Sequence, residues 1–339
     1  MKSVVFKEIS QPLVIEERPQ PSPGPHQLLL KVKAVGICGS DLHASEEEWM
    51  PKDVVMGHEF AGEVVAVGDA VTDWHVGDRA LPMVNVVCGK CENCRRKHWS
   101  DCANLQEIGF NAGHDGAYAE YVIVSAPNCL RMPDNLSYDD AAVIEPLAVG
   151  YDTVRRCELK MDDAVLVIGA GPVGLAITQW CKHFGVTDVV VSELNTARLA
   201  LAEKMGATHT IDGNQHADPV EEFERLTGRQ PTVIVEAVGI PGMIQRCIAM
   251  APKESRIVVV GLCMKPDQFE PMQCILKSLK LIFAFGYSVE DYAEIVKLLG
   301  QGRITAKPLI SHRIGLEELP AMFESMRRPT DQIKVIVKP

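Results

Sequence analysis

The sequence predicts an α/β protein in which a doubly wound parallel sheet is joined to a β-rich, irregular region. Three observations carry this reading. From Asp163 onward, apolar strand-like runs alternate with helical segments. One such run opens onto glycines at G-x-G-x-x-G spacing. The first 150 residues instead show short strand-like stretches punctuated by glycine and proline.

The glycine fingerprint organises the chain. Ala164–Ile168 is short and apolar, as expected of a strand buried on both faces. Gly169, Gly171 and Gly174 follow, with Pro172 where a first helical turn tolerates a missing N–H. The helix is expected to run to about His183, with Gly185 as its stop. A second strand, Val189–Ser192, ends at Glu193, 19 positions after Gly174. A ribose-binding acid falls at about 20. Together these parts describe a dinucleotide site: glycines admit a pyrophosphate, the helix N-terminus offers free N–H groups, and the acid accepts from ribose hydroxyls. The plain structural alternative is a glycine-rich turn in a non-binding βαβ unit. A membrane span is a second alternative, because Ala164–Cys181 carries no charge over 18 residues. Three glycines and a proline inside it, and Asp162–Asp163 before it, argue against a span.

Strands are expected at Val4–Phe6, Leu13–Glu16, Gln27–Ala34, Gly57–Gly68, Gly77–Leu81 and Tyr118–Val124. Beyond the fingerprint they are expected at Thr208–Ile211, Thr232–Ala237, Ile257–Val260 and Leu281–Phe285. Thr196–Met205, Val220–Leu226 and Gly242–Met250 read as the helices between them. Ser288 to Asp291 resembles a capping box ahead of a helix to about Leu299. A helix near Leu316–Met326 and a strand at Ile333–Val337 follow.

A length of 339 residues suits about two domains, and 47% apolar residues suit a sizeable core. The net charge of −11 argues against a nucleic-acid surface and an anionic membrane. The start, MKSVVFKEIS, has no long apolar stretch of the signal-peptide kind. Eleven cysteines, an odd number in a chain this long, suggest metal ligands and buried thiols rather than a disulfide framework. A cytoplasmic protein is expected.

Cys88, Cys91, Cys94 and Cys102 form a C-x2-C-x2-C-x7-C array. Four thiolates on one loop can close a tetrahedral zinc shell with no open position, which makes a structural site. An iron–sulfur cluster also takes four cysteines. Arg95, Arg96 and Lys97 are placed to offset the thiolate charge. A second, dispersed set comprises Cys38 in GICGSDLH, His58 and Glu59 in GHEFAG, and Glu145 in VIEPLAVG. A catalytic zinc takes three protein ligands and keeps one open position. Taken singly, such residues more often pack or face solvent.

With GICGSDLH, GHEFAGEVVAVG, the four-cysteine loop, GAYAEY, IEPLAVG and IGAGPVG all present, the chain resembles the zinc-dependent medium-chain dehydrogenases/reductases of the alcohol and polyol dehydrogenase kind, sorbitol dehydrogenase included. The resemblance implies a Rossmann nucleotide domain, about 150–286, inserted into a GroES-like catalytic domain made of 1–149 and 287–339, with the active site in the cleft. It implies NAD and two zinc ions per chain. Cys38, His58 and Glu145 would hold the catalytic zinc, with Glu59 as an outer or exchanging carboxylate. One thiolate, one neutral imidazole and one carboxylate balance a divalent ion, and a second carboxylate would make the site net negative. Some polyol relatives nevertheless ligate through the acid of GHE, so Glu59 and Glu145 both stay open.

Ser40 and His43 match the family's proton relay, through which the proton of a zinc-polarised alcohol leaves while a hydride passes to the nicotinamide. Cofactor contacts are expected at Gly169, Gly171, Pro172, Val173, Gly174, Glu193 and Gly261, and from Arg198, which stands five after Glu193. Relatives of this kind are dimers or tetramers and act on small molecules.

Two departures bear on substrate. Sorbitol-type relatives carry Phe-Arg-Tyr after the last nucleotide-domain strand, where this chain has Phe285-Gly286-Tyr287. An aromatic donor they place six residues after the zinc cysteine is Ala44 here. Each polyol hydroxyl left unpaired costs about 1–3 kcal/mol. Trp49, Met83 and Val84 fall where the family lines its pocket. A secondary alcohol or vicinal diol with an apolar body is therefore expected ahead of a long sugar alcohol. The competing readings are a sugar-alcohol dehydrogenase proper, a zinc-free quinone or enoyl reductase on the same fold, and a non-catalytic protein that retains it.

Overall fold

Ala164–Ile168 forms a strand, β1, with all five side chains buried. It is the centre of a six-stranded parallel sheet with β2 (Asp188–Glu193), β3 (His209–Asp212), β4 (Val233–Glu236), β5 (Arg256–Val259) and β6 (Lys280–Phe283). The spatial order is β3-β2-β1-β4-β5-β6, and every neighbouring pair is parallel. Parallel neighbours need crossovers, supplied by α1 (Pro172–His183), α2 (Thr196–Lys204), α3 (Pro219–Thr227), α4 (Met243–Met250) and α5 (Pro271–Lys277). Leu166, Val190, Ile211, Phe223, Ile234, Ile248 and Ile257 share one buried core between strands and helices. The strand order reverses between β1 and β4, and in open α/β sheets ligands bind outside the carboxyl ends at such a switch point.

Two details differ from the sequence expectation. α5 lies in a stretch to which the sequence reading assigns no element; Ile275 and Leu276 on it face outward, so its apolar residues show no buried stripe. The last strand stops at Phe283 rather than Phe285.

The computed structural model describes residues 1–88, 90–96, 99–328 and 331–339. The chain divides into two units, Met1–Glu145 with Ser288–Pro339, and Pro146–Tyr287. The first division falls within the helix Ile144–Arg156, four residues ahead of the 149/150 limit read from sequence, and the second lies one residue after 286/287. In the first unit, a sheet runs through Cys129–Arg131, Arg79–Pro82, Glu59–Val67, Gln27–Gly36, Lys334–Lys338 and Ile310–Gly315 in that order. Tyr121–Ser125 also pairs with Gln27–Gly36. The C-terminal strand thus lies beside an N-terminal one, with Ile336 opposite Gly36. A smaller sheet pairs Lys2–Phe6 with Val14–Glu17 and Val54–Val55. The helix expected near Leu316–Met326 divides into a 3₁₀ turn, Leu316–Glu318, and a helix, Leu319–Ser325, with Pro320 in its first turn. No described helix is long and apolar enough to cross a membrane.

Candidate active site and metal centres

The end of the long strand Gln27–Gly36 delivers Cys38 to the start of a short helix, Gly39–Ala44. The neighbouring strand Glu59–Val67 starts opposite, with Glu59 registered against Gly36 and His58 just before it. This pairing brings one ligand atom each of Cys38, His58 and Glu59 within 4.8 Å of one another. Asp41, one helical turn on from Cys38, is fully buried and organises the group. It accepts from the Cys38 N–H at 3.1 Å and the Tyr118 hydroxyl at 2.6 Å, and lies 3.2 Å from His58 Nδ1. A proton assigned to Nδ1 leaves Nε2 as a bare lone pair, the form a metal takes. Glu59 is completely buried and accepts from Lys334 Nζ at 2.6 Å on both oxygens.

The electrostatics follow from burial and pairing. Burial opposes a charged His58 ring, yet the Asp41 carboxylate and Cys38 outweigh it and raise the imidazole well above its usual range. Burial likewise opposes an ionised Asp41, and His58, Tyr118 and the Cys38 N–H overcome it, so its carboxyl is lowered. Glu145, at the start of Ile144–Arg156, interacts electrically with His58 and Glu59. Burial pushes its carboxyl up to about 7. Burial also raises Glu107, with the His58 charge pulling the other way. Glu145 lies outside the tight three-residue group but within its electrostatic reach. Ser40 Oγ donates to Cys38 Sγ at 3.1 Å. His43 is exposed and three residues beyond Ser40, on the same helix face.

The four loop cysteines also meet. Cys88 and Cys94 sulfurs are 3.8 Å apart, and Cys91 and Cys94 sulfurs 3.4 Å apart. Cys88 N–H donates to Cys102 Sγ at 3.4 Å. All four sulfurs lie within 4.8 Å of one another. A tetrahedron with zinc–sulfur bonds of about 2.3 Å has edges of about 3.8 Å, so the donor set fits one such ion. Backbone N–H groups of Lys90 and Cys91 lower the Cys88 thiol to about 6, and those of Ala103 and Cys94 lower Cys91. The expected neighbouring cations do something else. Arg95 and Arg96 pair with Glu92 at 3.5 and 2.9 Å, and Lys97 lies outside the described residues. Backbone donors, rather than Arg95 and Arg96, hold the thiolates.

In the second unit, Gly169 leaves β1 with φ of 99°. A Cβ at Gly174 would overlap the Gly169 carbonyl, so α1 packs against the turn only without a side chain there. A Cβ at Gly171 would meet nothing within 4 Å, which leaves the N-terminus of α1 open to a ligand. Pro172 and Val173 form the first turn of that helix. Glu193 closes the loop from the next strand: its carboxylate accepts from the N–H groups of Ala170 at 2.8 Å, Leu194 at 2.7 Å and Asn195 at 3.1 Å. Arg198 is half-buried on α2. Gly261 follows β5, and a Cβ there would overlap the Gly239 backbone and the Glu236 carboxylate, so close packing already demands glycine.

Trp49 is exposed, whereas Met83 and Val84 are buried. Phe285 is exposed and Tyr287 buried, flanking Gly286 at φ of 70°. Sequence reasoning missed Asp41, Glu107, Tyr118 and Lys334. Asp41 had a signal, its place inside GICGSDLH. Lys334 had one too: it is the charge inside the apolar stretch Ile333–Val337.

Residues 24–134 match the alcohol dehydrogenase GroES-like domain, and residues 172–301 match the zinc-binding dehydrogenase family. The chain is 32% identical to L-threonine 3-dehydrogenase of Alteromonas mediterranea, over 96% of each chain. It is 33% identical to sorbitol dehydrogenase of Bacillus subtilis, over 100% of this chain and 97% of the other. An alcohol dehydrogenase from Escherichia coli CFT073 complexed with NADH superposes with a TM-score of 0.90 at 30% identity, over 100% and 99% of the two chains. A zinc-binding dehydrogenase from Sinorhizobium meliloti 1021 bound to NADP superposes with a TM-score of 0.89 at 30% identity, with the same coverage. With these likenesses spanning both units, the chain belongs to the zinc-dependent medium-chain dehydrogenases/reductases and is an alcohol dehydrogenase of that family.

Proposed function

We propose that this enzyme oxidises a secondary alcohol or vicinal diol with an apolar body, using NAD in preference to NADP and two zinc ions per chain. The observation that carries the reading is the convergence of Cys38, His58 and Glu59 ligand atoms within 4.8 Å. When bound, zinc supplies Lewis acidity to the alcohol oxygen and the nicotinamide supplies the hydride acceptor. The chain does the rest. Cys38 and His58 bind the ion, with Glu145 as the third ligand, and Asp41 orients the His58 ring through Nδ1. Ser40 Oγ would accept the substrate proton as its own hydroxyl proton moves on through the cofactor's ribose hydroxyl to His43, exposed on the same helix. Cys88, Cys91, Cys94 and Cys102 hold the second ion, which fastens their loop. Gly169, Gly171, Pro172, Val173 and Gly174 receive the pyrophosphate, while Glu193 accepts from the adenosine ribose and repels a 2′-phosphate. Gly261 and Arg198 border the same cofactor. Trp49, Val84, Phe285 and Tyr287 shape the substrate's surroundings, in a catalytic domain of both chain ends and an inserted nucleotide domain.

The enzyme works as a homo-oligomer, a dimer or a pair of dimers. Among the described residues β6 is the edge strand of its sheet, and Met272, Ile275 and Leu276 on α5 and Phe283 on β6 stand exposed. Edge strands and exposed apolar patches of this kind call for a cover.

The test is NADH formation across a panel of cyclic secondary alcohols, short diols, L-threonine and sorbitol, each with NAD and NADP. Turnover of a diol or cyclic alcohol with NAD is the expected result. No turnover of any alcohol, or turnover only with the sugar alcohol, overturns the substrate assignment.

A further inference from the structure

We infer that Lys334, on the last strand of the chain, is a positioning residue for the catalytic metal: its ammonium engages Glu59 and keeps that carboxylate from becoming a ligand. The inference rests on the zinc reading above. Lys334 is 1% exposed and Glu59 is fully buried, so the pair has no water to share. Nζ lies 2.6 Å from each Glu59 oxygen and donates to the Ile37 carbonyl at 3.0 Å. Ile37 directly precedes Cys38, so one ammonium ties the acid of GHE to the segment that carries the metal cysteine. Gly36 makes the room: a Cβ there would overlap the Glu59 carboxylate and crowd Lys334. The strand pairing that sets Ile336 against Gly36 brings the lysine to this place.

A buried carboxylate needs a cation or several donors. Asp41 has the Cys38 N–H, Tyr118 and His58. Glu59 has Lys334. Glu145 is half-buried and has neither an ion pair nor a hydrogen bond on its carboxylate among the described residues, and a metal ion held by Cys38 and His58 would be the cation it lacks. The objection that a second acid would leave the site net negative disappears as well, because Lys334 carries the balancing charge. Without it, Glu59 would turn to the nearest remaining cation, the metal.

The test uses full-length protein with cobalt(II) in the catalytic site, whose visible spectrum reports ligand number and type. Wild type and K334R are expected to share one spectrum. K334M is expected to show a changed spectrum as Glu59 joins the ion, with kcat lowered about tenfold or more and KM moved less. The double variant E59Q/K334M, which buries no unpaired charge, is expected to return to the wild-type spectrum, and it carries the comparison if K334M does not fold. A wild-type spectrum in K334M, or loss of the wild-type spectrum in the double variant, overturns the inference and leaves the zinc reading standing. A wild-type protein that binds no cobalt through Cys38 overturns both.

Discussion

Glu193 shows how much a single side chain decides. Three backbone N–H groups hold its carboxylate at the rim of the glycine turn. In the reading proposed above, a carboxylate fixed there would accept from ribose hydroxyls and repel a 2′-phosphate. Glu193→Ser is expected to shift kcat/KM toward NADP at least about tenfold, which is ~1.4 kcal/mol. Steady-state kinetics with both cofactors check this, and an unchanged ratio would remove Glu193 from the discrimination. Asp41 acts one step further from the chemistry. Asp41→Asn is expected to weaken metal binding about 10–100-fold, measured by chelator competition, because the His58 ring loses its anionic partner. The residues legible in the sequence were those inside short motifs, such as Cys38, His58 and Gly174. Lys334 was legible as a charge within an apolar strand, but its partner was not, because Glu59 is 275 positions away and only the strand pairing joins them.

Secondary-structure elements that signal locally were readable in the same way. β1, α1 and β2 agree with expectation to within a residue or so at each end, since a buried apolar run, a proline start and a glycine stop all lie in sequence. α5 was missed because Ile275 and Leu276 face outward and leave no inward apolar face to read. The four-cysteine loop announced its donors, but not that backbone N–H groups would hold the thiolates. That has a pH consequence. The Cys88 thiol falls from 9.0 to about 6 in the folded loop. A lowered acid adds stability above its unfolded value near 9.0 and loses it as the pH falls through about 6. Protons then compete with metal for the same sulfur, so zinc release to a chelator is expected to accelerate below about pH 6. A release rate flat from pH 8 to pH 5 would contradict it. Cys94→Ser, which opens the shell, is expected to lower the melting temperature and soluble yield.

Across the whole molecule, the exposed apolar surface of α5 and the edge strand β6 set the expectation for assembly. Ile275 and Leu276 are 70% and 69% exposed, a high exposure for two adjacent large apolar residues. Replacing both with Glu is expected to shift the protein toward the monomer in sedimentation while the melting curve of the separated chain stays cooperative. The central claim concerns a metal that does chemistry and a metal that fastens a loop, in one alcohol dehydrogenase. Zinc analysis beside NADH formation in wild type and Cys38→Ser tests it most directly. The expected result is two zinc ions per chain and alcohol-dependent turnover in wild type, and one zinc ion, no turnover and a nearly unchanged melting curve in Cys38→Ser. A Cys38→Ser protein that keeps two zinc ions and its turnover would contradict the account.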